Sequence, residues 1–286
     1  MYSLALPQPS PATTLSDDVE ELADRRIHRP LARPLVAMLS ATAITPNQVT
    51  ALSGASGVLA AAAIASSGPW PSLRLLAAAL LLASAVFDCA DGQLARVRGR
   101  SSVEGGVLDG ISDELVGFAV ILASSFVLAS SYGPLAWVAG AAAMLSSSVQ
   151  CLMFDAAKER YVAEFGVLHA SSKLAMADRG IDVRPAAPRR AWLQRLFRAY
   201  VGRLRRLGAR LPARGATDAE TARRRIRSWT TLGLGTHMCY GYVAIACSWI
   251  WLPALHACLL VFALPMNVQL AWYLHRDRRP PRREAA

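Results

Sequence analysis

The chain has 286 residues, of which 53% are hydrophobic, and it carries a formal net charge of +11. The apolar residues occur in blocks of about 20, the length that crosses the hydrocarbon core of a bilayer, and this composition excludes an ordinary soluble globular protein. The charge does not indicate nucleic-acid binding, because the basic residues stand beside the apolar blocks. We therefore predict an all-α polytopic membrane protein.

The residues before the apolar blocks divide into two regions. Residues 1–16 are rich in Pro, Ser and Thr, and we expect a disordered tail that lacks the basic start and apolar core of a cleavable signal peptide. Residues 17–40 are predicted to form a cytoplasmic interfacial region, in which a polar helix leads into an amphipathic helix. An ordinary exposed helix is the alternative. The amphipathic helix has an apolar face opposite Arg29 and Arg33, formed by Leu31, Leu35, Met38 and Leu39.

Six transmembrane helices are predicted after this region. All basic residues except Arg74 fall on one side of the predicted spans, so the positive-inside rule places both termini in the cytoplasm, as in a bacterial-type cytoplasmic membrane. The spans lie at about 47–66, 73–96, 103 to the SSYGP segment, 135–155, 229–251 and 254–274. Residues 41–160 thus hold spans one to four, 161–228 a basic cytoplasmic insertion, 229–275 spans five and six, and 276–286 a basic tail.

The insertion contains a basic amphipathic helix in the segment RRAWLQRLFRAYVGRLRRLGARL. Such a helix either lies on an anionic leaflet or packs against the body of the protein. Thr217 and Glu220 are predicted to form a capping box for the helix that enters span five. The apolar stripe of the basic helix consists of Leu193, Leu196, Phe197, Tyr200, Leu204, Leu207 and Leu211.

Several residues within the spans are assigned to packing. Gln150 and Asn267 are predicted to form interhelical hydrogen bonds, and His237 is either a satisfied buried histidine or a contact to a substrate. The five cysteines show no paired spacing, so they indicate neither a disulfide framework nor a zinc site. Close helix approach is predicted at small residues, namely Gly54, Gly57, Gly105, Gly106, Gly110, Gly117 and Gly140.

Four aspartates are placed where two spans end. Asp88 and Asp91 share a helix face near the end of span two, and Asp109 and Asp113 share one near the start of span three. A short connection makes these helices antiparallel neighbours, so the two pairs should face each other. Carboxylate oxygens suit Mg²⁺ or Mn²⁺ rather than Zn²⁺, and four of them match a two-metal site that holds a phosphoryl group. Alternatively, the acids are solvated helix-end residues or pair with nearby arginines.

The spacing Asp88-x2-Asp91-Gly92-x2-Ala95-Arg96-x8-Gly105-x3-Asp109-x3-Asp113 resembles the signature of the CDP-alcohol phosphotransferases. These are membrane enzymes that make phospholipids and related phosphodiesters. The segment TPNQVT, which ends at Thr50, is similar to the family's turn into the first span. The long basic insertion departs from the pattern of the smaller family members, and it leaves acceptor specificity open.

This resemblance implies specific roles. Asp88, Asp91 and Asp109 would bind metal, and Asp113 would bind the second of two ions and act as general base. The CDP moiety would lie along Gly92, Arg96 and Ser102, with Asn47 and Thr50 closing over it. Glu114 matches no family position. The reaction would transfer a substituted phosphate from a CDP-alcohol, with CDP-diacylglycerol the favoured donor, to an acceptor alcohol with release of CMP, and the resemblance also implies a homodimer.

Two other functions remain as alternatives. An intramembrane prenyltransferase also uses aspartates to bind a Mg-diphosphate, but it would show wider DxxxD motifs and would lack the Asp-Gly-x2-Ala-Arg segment. A cation or proton transporter would carry its carboxylates near the middle of a span, whereas here they lie at helix ends. The acceptor alcohol is not indicated by the signature.

Overall fold

A computed structural model describes residues 16–99, 103–164, 191–211 and 219–278, which are almost entirely helical and contain no strand. The predicted all-α class is confirmed. A π-helical turn at Asp24–His28 precedes α2, and a 3₁₀ turn at Thr230–Leu232 joins α8 to α9. The helices are α1 (Ser16–Val19), α2 (Arg29–Ser40), α3 (Pro46–Ala65), α4 (Leu73–Val97), α5 (Val103–Tyr132), α6 (Pro134–Glu164), α7 (Ala191–Arg210), α8 (Ala219–Trp229), α9 (Leu234–Cys247), α10 (Pro253–Ala263) and α11 (Pro265–Arg278).

Within the described residues, five helical segments are long and apolar enough to cross a membrane. They are consistent with an integral membrane protein and correspond to predicted spans one to four and six: Pro46–Ala65, Leu73–Val97, Leu108–Tyr132, Pro134–Val162 and Pro253–Arg278. The last contains both α10 and α11, because Pro265 lacks the amide hydrogen needed for a continuous helix.

The predicted fifth span, 229–251, is not confirmed. The chain leaves the helical conformation at Gly233, between α8 and α9. Helix α9 has 14 residues, which is a length of about 21 Å, whereas the hydrocarbon core of a bilayer is about 30 Å thick.

Helix α3 packs against both α4 and α5, and α5 packs against α6. Small residues determine how closely these helices approach one another. A Cβ added at Gly57 would lie 2.4 Å from the Val116 methyl groups of α5, and one added at Gly140 would lie 1.9 Å from the Ser125 hydroxyl. Gly54 likewise faces α5, so close approach is confirmed at these three positions. Among the described residues, an added Cβ would meet no heavy atom within 4 Å at Gly106, Gly110 and Gly117, so close approach is not found there; the surroundings of Gly105 lie outside the described part.

Helix α2 packs against the body of the protein through a face other than the leucine-rich one, which is predicted to lie at the membrane interface. Leu31 and Met38 are 50% and 72% exposed, while Leu35 and Leu39 are only partly buried. The buried face of α2 carries small apolar side chains. They belong to one cluster, which consists of Ala32, Val36, Val49, Ala90 and Leu94. Helix α2 therefore covers the ends of α3 and α4 next to the aspartates, and its contact with a membrane surface remains a prediction.

Arg98 connects the end of α4 to the end of α2. Its guanidinium group donates hydrogen bonds to the main-chain carbonyls of Leu39 at 2.6 Å, Thr42 at 2.8 Å and Ile44. These carbonyls belong to the last turn of α2 and the loop after it, where helical partners are lacking. Arg98 is thus a structural residue that holds the loop before α3.

The acidic residues before α2 dock on α8 and α9. Asp18 accepts hydrogen bonds from Arg223 at 2.6 Å and Arg227 at 2.8 Å. Glu21 is 8% exposed and accepts from the Thr236 amide at 2.8 Å, so it caps the first turn of α9. A Cβ at Gly233 would lie 2.1 Å from a Glu21 carboxyl oxygen. Glycine is therefore needed at this position to admit the cap.

The opposite end of α9 is capped as well. Arg74 is 7% exposed and donates hydrogen bonds to the Ser248 carbonyl at 2.8 Å and to the Ser67 hydroxyl at 3.1 Å. The one basic residue outside the predicted cytoplasmic segments is therefore a buried cap and not a surface charge.

The Glu21→Gln variant is expected to be at least as stable as the wild type at neutral pH. Burial, and next the Asp24 carboxylate, raise the pKa of the Glu21 carboxyl from its ordinary 4.5 to about 8. The neutral Glu21 carboxyl therefore contributes a stabilisation that is fully present below pH 4.5 and is lost as the pH rises through about 8. Thermal unfolding across this range should show a decline in the wild type that the Gln variant lacks. The Glu21→Ala variant, which cannot cap α9, should lose about 1–3 kcal/mol; equal stability of the two variants would contradict the cap.

The basic helix α7 packs against α6, which agrees with one of its two predicted placements. Leu204 and Leu211 are buried, Tyr200 donates to Asp155, and Arg160 of α6 donates to the Gly208 carbonyl at 3.2 Å. The surroundings of three predicted stripe residues, Leu193, Leu196 and Phe197, lie outside the described part. Thr217 also lies outside it, while Glu220 pairs with Arg224 at 3.1 Å.

A buried polar network joins α6, α9 and α11. Gln150 donates to Asn267 at 3.0 Å and lies 2.9 Å from His237, whose other ring nitrogen is 2.8 Å from the Gly233 carbonyl. The predicted interhelical hydrogen bonds are confirmed, and His237 is a satisfied buried histidine. All five cysteines are free.

Candidate functional site

Three of the four predicted aspartates meet at one place. One carboxylate oxygen each from Asp88 and Asp91 of α4 and from Asp109 of α5 lie within 4.8 Å of one another. Asp91 is 7% exposed, and the other two are half-buried. Helix α3 packs extensively against both α4 and α5, whereas the described residues of α4 and α5 have few contacts with each other. The sequence predicts that the two helices are neighbours, but their described residues are not packed together along the helix length. The helices converge at the aspartates instead.

Asp113 lies one turn beyond Asp109 on α5. It is half-buried and close enough to Asp88 to repel its carboxylate electrostatically, although it lies outside the group of three. The structure thus brings three predicted metal ligands together and places the fourth beside them. Glu114 is separate, because it accepts a hydrogen bond from Ser148 at 3.2 Å.

Among the described residues, no ion pair joins Asp88, Asp91 or Asp109 to a basic side chain, and Arg98 is bonded to main-chain carbonyls. Arg100 lies outside the described residues. Like charges at this separation repel, and a cation is the simplest means of offsetting them. A donor set made only of carboxylate oxygens fits Mg²⁺ or Mn²⁺.

The start of α3 contributes to the same place. Thr45 and Gln48 form a capping box, in which the Thr45 amide donates to the Gln48 side chain at 2.8 Å and the Gln48 amide to the Thr45 hydroxyl at 3.4 Å. One turn later, the Thr50 hydroxyl donates to the Asp91 carboxylate. The Thr-x-x-Gln spacing could have revealed this cap from sequence, whereas the contact between Thr50 and Asp91 could not be read from it. Asn47 is exposed on the same turn.

Gly92 and Arg96 lie one helical turn apart on α4. A Cβ added at Gly92 would lie 3.4 Å from an Arg96 guanidinium nitrogen, so the absence of a side chain gives the guanidinium room to lie along the helix. Arg96 is exposed and is attracted by Asp91. The pair thus leaves backbone and a positive charge accessible beside the aspartates. Ser102, the remaining predicted nucleotide contact, lies outside the described residues.

A segment that begins just before α3 and contains the aspartates matches a known family model. Residues 43–176 match the family model of the CDP-alcohol phosphatidyltransferases. This family consists of transferases that act on CDP-alcohols in membranes, and they generally depend on divalent metal. The matched segment includes every predicted site residue, while α2 and α7–α11 lie outside it. No curated protein matches the chain.

Proposed function

We propose that the protein transfers a substituted phosphate group from a CDP-alcohol to an acceptor alcohol and releases CMP. CDP-diacylglycerol is the favoured donor, because a site at the end of membrane helices suits a substrate with a soluble nucleotide and an apolar tail. The convergence of Asp88, Asp91 and Asp109 inside the segment that matches the CDP-alcohol phosphatidyltransferase model carries this proposal.

The aspartates are assigned to two divalent cations. Asp88, Asp91 and Asp109 would hold metal, and Asp113 would contribute to the second ion. When bound, the two cations would neutralise the donor diphosphate and stabilise the charge that develops on the departing CMP. The Thr50 hydroxyl orients one oxygen of Asp91, which fixes the direction in which that carboxylate presents its other oxygen.

The nucleotide is assigned to the residues around the exposed guanidinium of Arg96. Arg96 can bind a phosphate oxygen through charged hydrogen bonds, and Gly92 leaves the backbone of α4 accessible there. Asn47 and Thr50 approach from α3, and Ser102 completes the predicted set.

Asp113 is assigned as the general base. It removes the proton from the acceptor hydroxyl, whose oxygen attacks the phosphorus distal to cytidine. The phosphoanhydride bond breaks, CMP leaves with the bonding electrons, and the proton passes from Asp113 to solvent. Positioning and electrostatics supply most of the rate enhancement in reactions of this type.

The proposed orientation in the membrane is based on the distribution of the basic residues. The site and both termini face the cytoplasm, α9 completes six membrane segments, α2 lies at the interface, and α7 and α8 belong to a cytoplasmic insertion at 161–228. The predicted boundaries at 17–40, 41–160 and 229–275 are retained, and a homodimer is included in the proposal because of the family.

The deciding experiment measures CMP release by the purified protein. Each of several CDP-alcohols is combined with each of several alcohols, including glycerol phosphate, inositol phosphate, inositol and serine. We expect CMP release that requires both substrates and one preferred pair. If no CDP-alcohol yields CMP but an isoprenyl diphosphate yields pyrophosphate, the protein is a prenyltransferase and the proposal is wrong.

A further inference from the structure

A second group of metal-ligating side chains lies outside the aspartate site. One ligand atom each from Asp24, His28 and Cys89 lie within 4.8 Å of one another. The three residues come from the π-helical turn before α2 and from α4. Cys89 follows Asp88 directly, but successive residues point about 100° apart around a helix, so the two groups face different sides of α4.

The members of this group are held in place by their surroundings. His28 is fully buried, and its Nδ1 lies 2.8 Å from the Asp24 carboxylate. A Cβ at Gly235 would lie 2.2 Å from an Asp24 oxygen, so α9 holds that carboxylate closely. Cys89 packs at the edge of the small apolar cluster under α2. The three ligands are therefore placed by two helices and one turn that pack together.

The donor set differs in chemistry from the aspartate site. One imidazole nitrogen, one carboxylate oxygen and one thiolate sulfur suit Zn²⁺, which binds such ligands at about 2.0–2.3 Å in tetrahedral geometry. With Asp24 and Cys89 ionised and His28 neutral, the bound ion would be balanced to zero net charge. Such balance lowers the cost of burying an ion between helices.

His28 also has the outer partner that a metal-binding histidine normally has. One ring nitrogen contacts Asp24, and the other lies 3.4 Å from the Tyr242 hydroxyl of α9. Because Asp24 is itself a proposed ligand, the outer partner of His28 is the Tyr242 hydroxyl when the nitrogen that faces Asp24 binds the ion. The Asp24 side chain is 26% exposed, which leaves an entry path and room for a fourth ligand such as water.

We propose that Asp24, His28 and Cys89 form a Zn²⁺ site that fastens the segment before α2 to α4 and α9. Binding releases the thiol proton of Cys89 to solvent and joins residues more than 60 positions apart in the chain. The site is independent of the proposed transferase activity, and its occupancy should raise the thermal stability of the protein.

Cobalt provides the test, because a thiolate bound to Co²⁺ gives a charge-transfer absorption that oxygen ligands do not. The purified full chain in lipid nanodiscs is stripped with a chelator and titrated with Co²⁺. We expect this absorption to saturate at one Co²⁺ per chain and to disappear when Zn²⁺ is added. Zn²⁺ should also raise the unfolding temperature of the stripped protein.

Matched variants separate this site from other metal binding. Cys89→Ser and His28→Gln should lose the absorption and the thermal shift by Zn²⁺, while Cys247→Ser, which removes an exposed cysteine elsewhere, should keep both. Asp109→Asn, which alters the aspartate site, should also keep the absorption. An absent absorption in the wild type, or one that persists in Cys89→Ser, would overturn the proposal. If the protein shows the cobalt absorption but releases no CMP, only the proposed transferase activity is rejected.

Discussion

The Asp113→Asn variant is expected to lose at least about 100-fold in kcat while its KM for the CDP-alcohol changes little. General base catalysis contributes about 10²–10⁴-fold in enzymes, and an amide cannot accept the proton of the acceptor hydroxyl. Nucleotide affinity should be largely retained, because Asp113 lies a turn beyond the three converging carboxylates. Steady-state CMP release at varied donor and acceptor concentrations separates kcat from KM.

Glu114→Gln is the matched control for this variant. It removes one carboxylate charge from the next position on α5, but Glu114 contacts Ser148 of α6 and not the aspartates. Its kcat should stay close to that of the wild type. If Asp113→Asn releases CMP at the wild-type rate, Asp113 is not the base.

Removal of divalent metal is expected to abolish CMP release entirely. Three carboxylates within 4.8 Å repel one another and any diphosphate, so without cations the site opposes substrate binding. Added Mg²⁺ or Mn²⁺ should restore activity to the EDTA-treated protein. The measurement is the rate of CMP release against the concentration of free metal.

Two comparisons make this test specific. EDTA that has been saturated with Mg²⁺ beforehand should not inhibit, which separates chelation from damage to the protein. Asp109→Asn should need at least about tenfold more metal for any activity it keeps, because it removes a negatively charged ligand. Full activity in excess EDTA would reject the two-metal assignment.

The aspartate site could be predicted because its residues are close in sequence. Helical spacing alone places Asp88 with Asp91 and Asp109 with Asp113 on common faces. Only 17 residues lie between Asp91 and Asp109. Five of the six predicted spans could likewise be read from continuous apolar runs. Local periodicity is sufficient for such features.

Contacts between distant segments could not be predicted in this way. Nothing in the sequence near Arg98 shows that it binds carbonyls at the end of α2, and nothing near Glu21 shows that it caps α9. Likewise, hydrophobicity indicates a leucine-rich face on α2, but it does not show that Ala32 and Val36 pack in one cluster with residues of α4.

The capping of α9 has a consequence for the lipid around the protein. A helix of about 21 Å is shorter than the bilayer core, and such hydrophobic mismatch usually makes the bilayer thin locally. Here the Glu21 carboxyl closes one end and the Arg74 guanidinium closes the other, so the polar ends of the helix are satisfied by protein. Under the proposed six-span arrangement, the mismatch would be absorbed inside the molecule, and the neighbouring longer helices would set the thickness of the membrane at its perimeter.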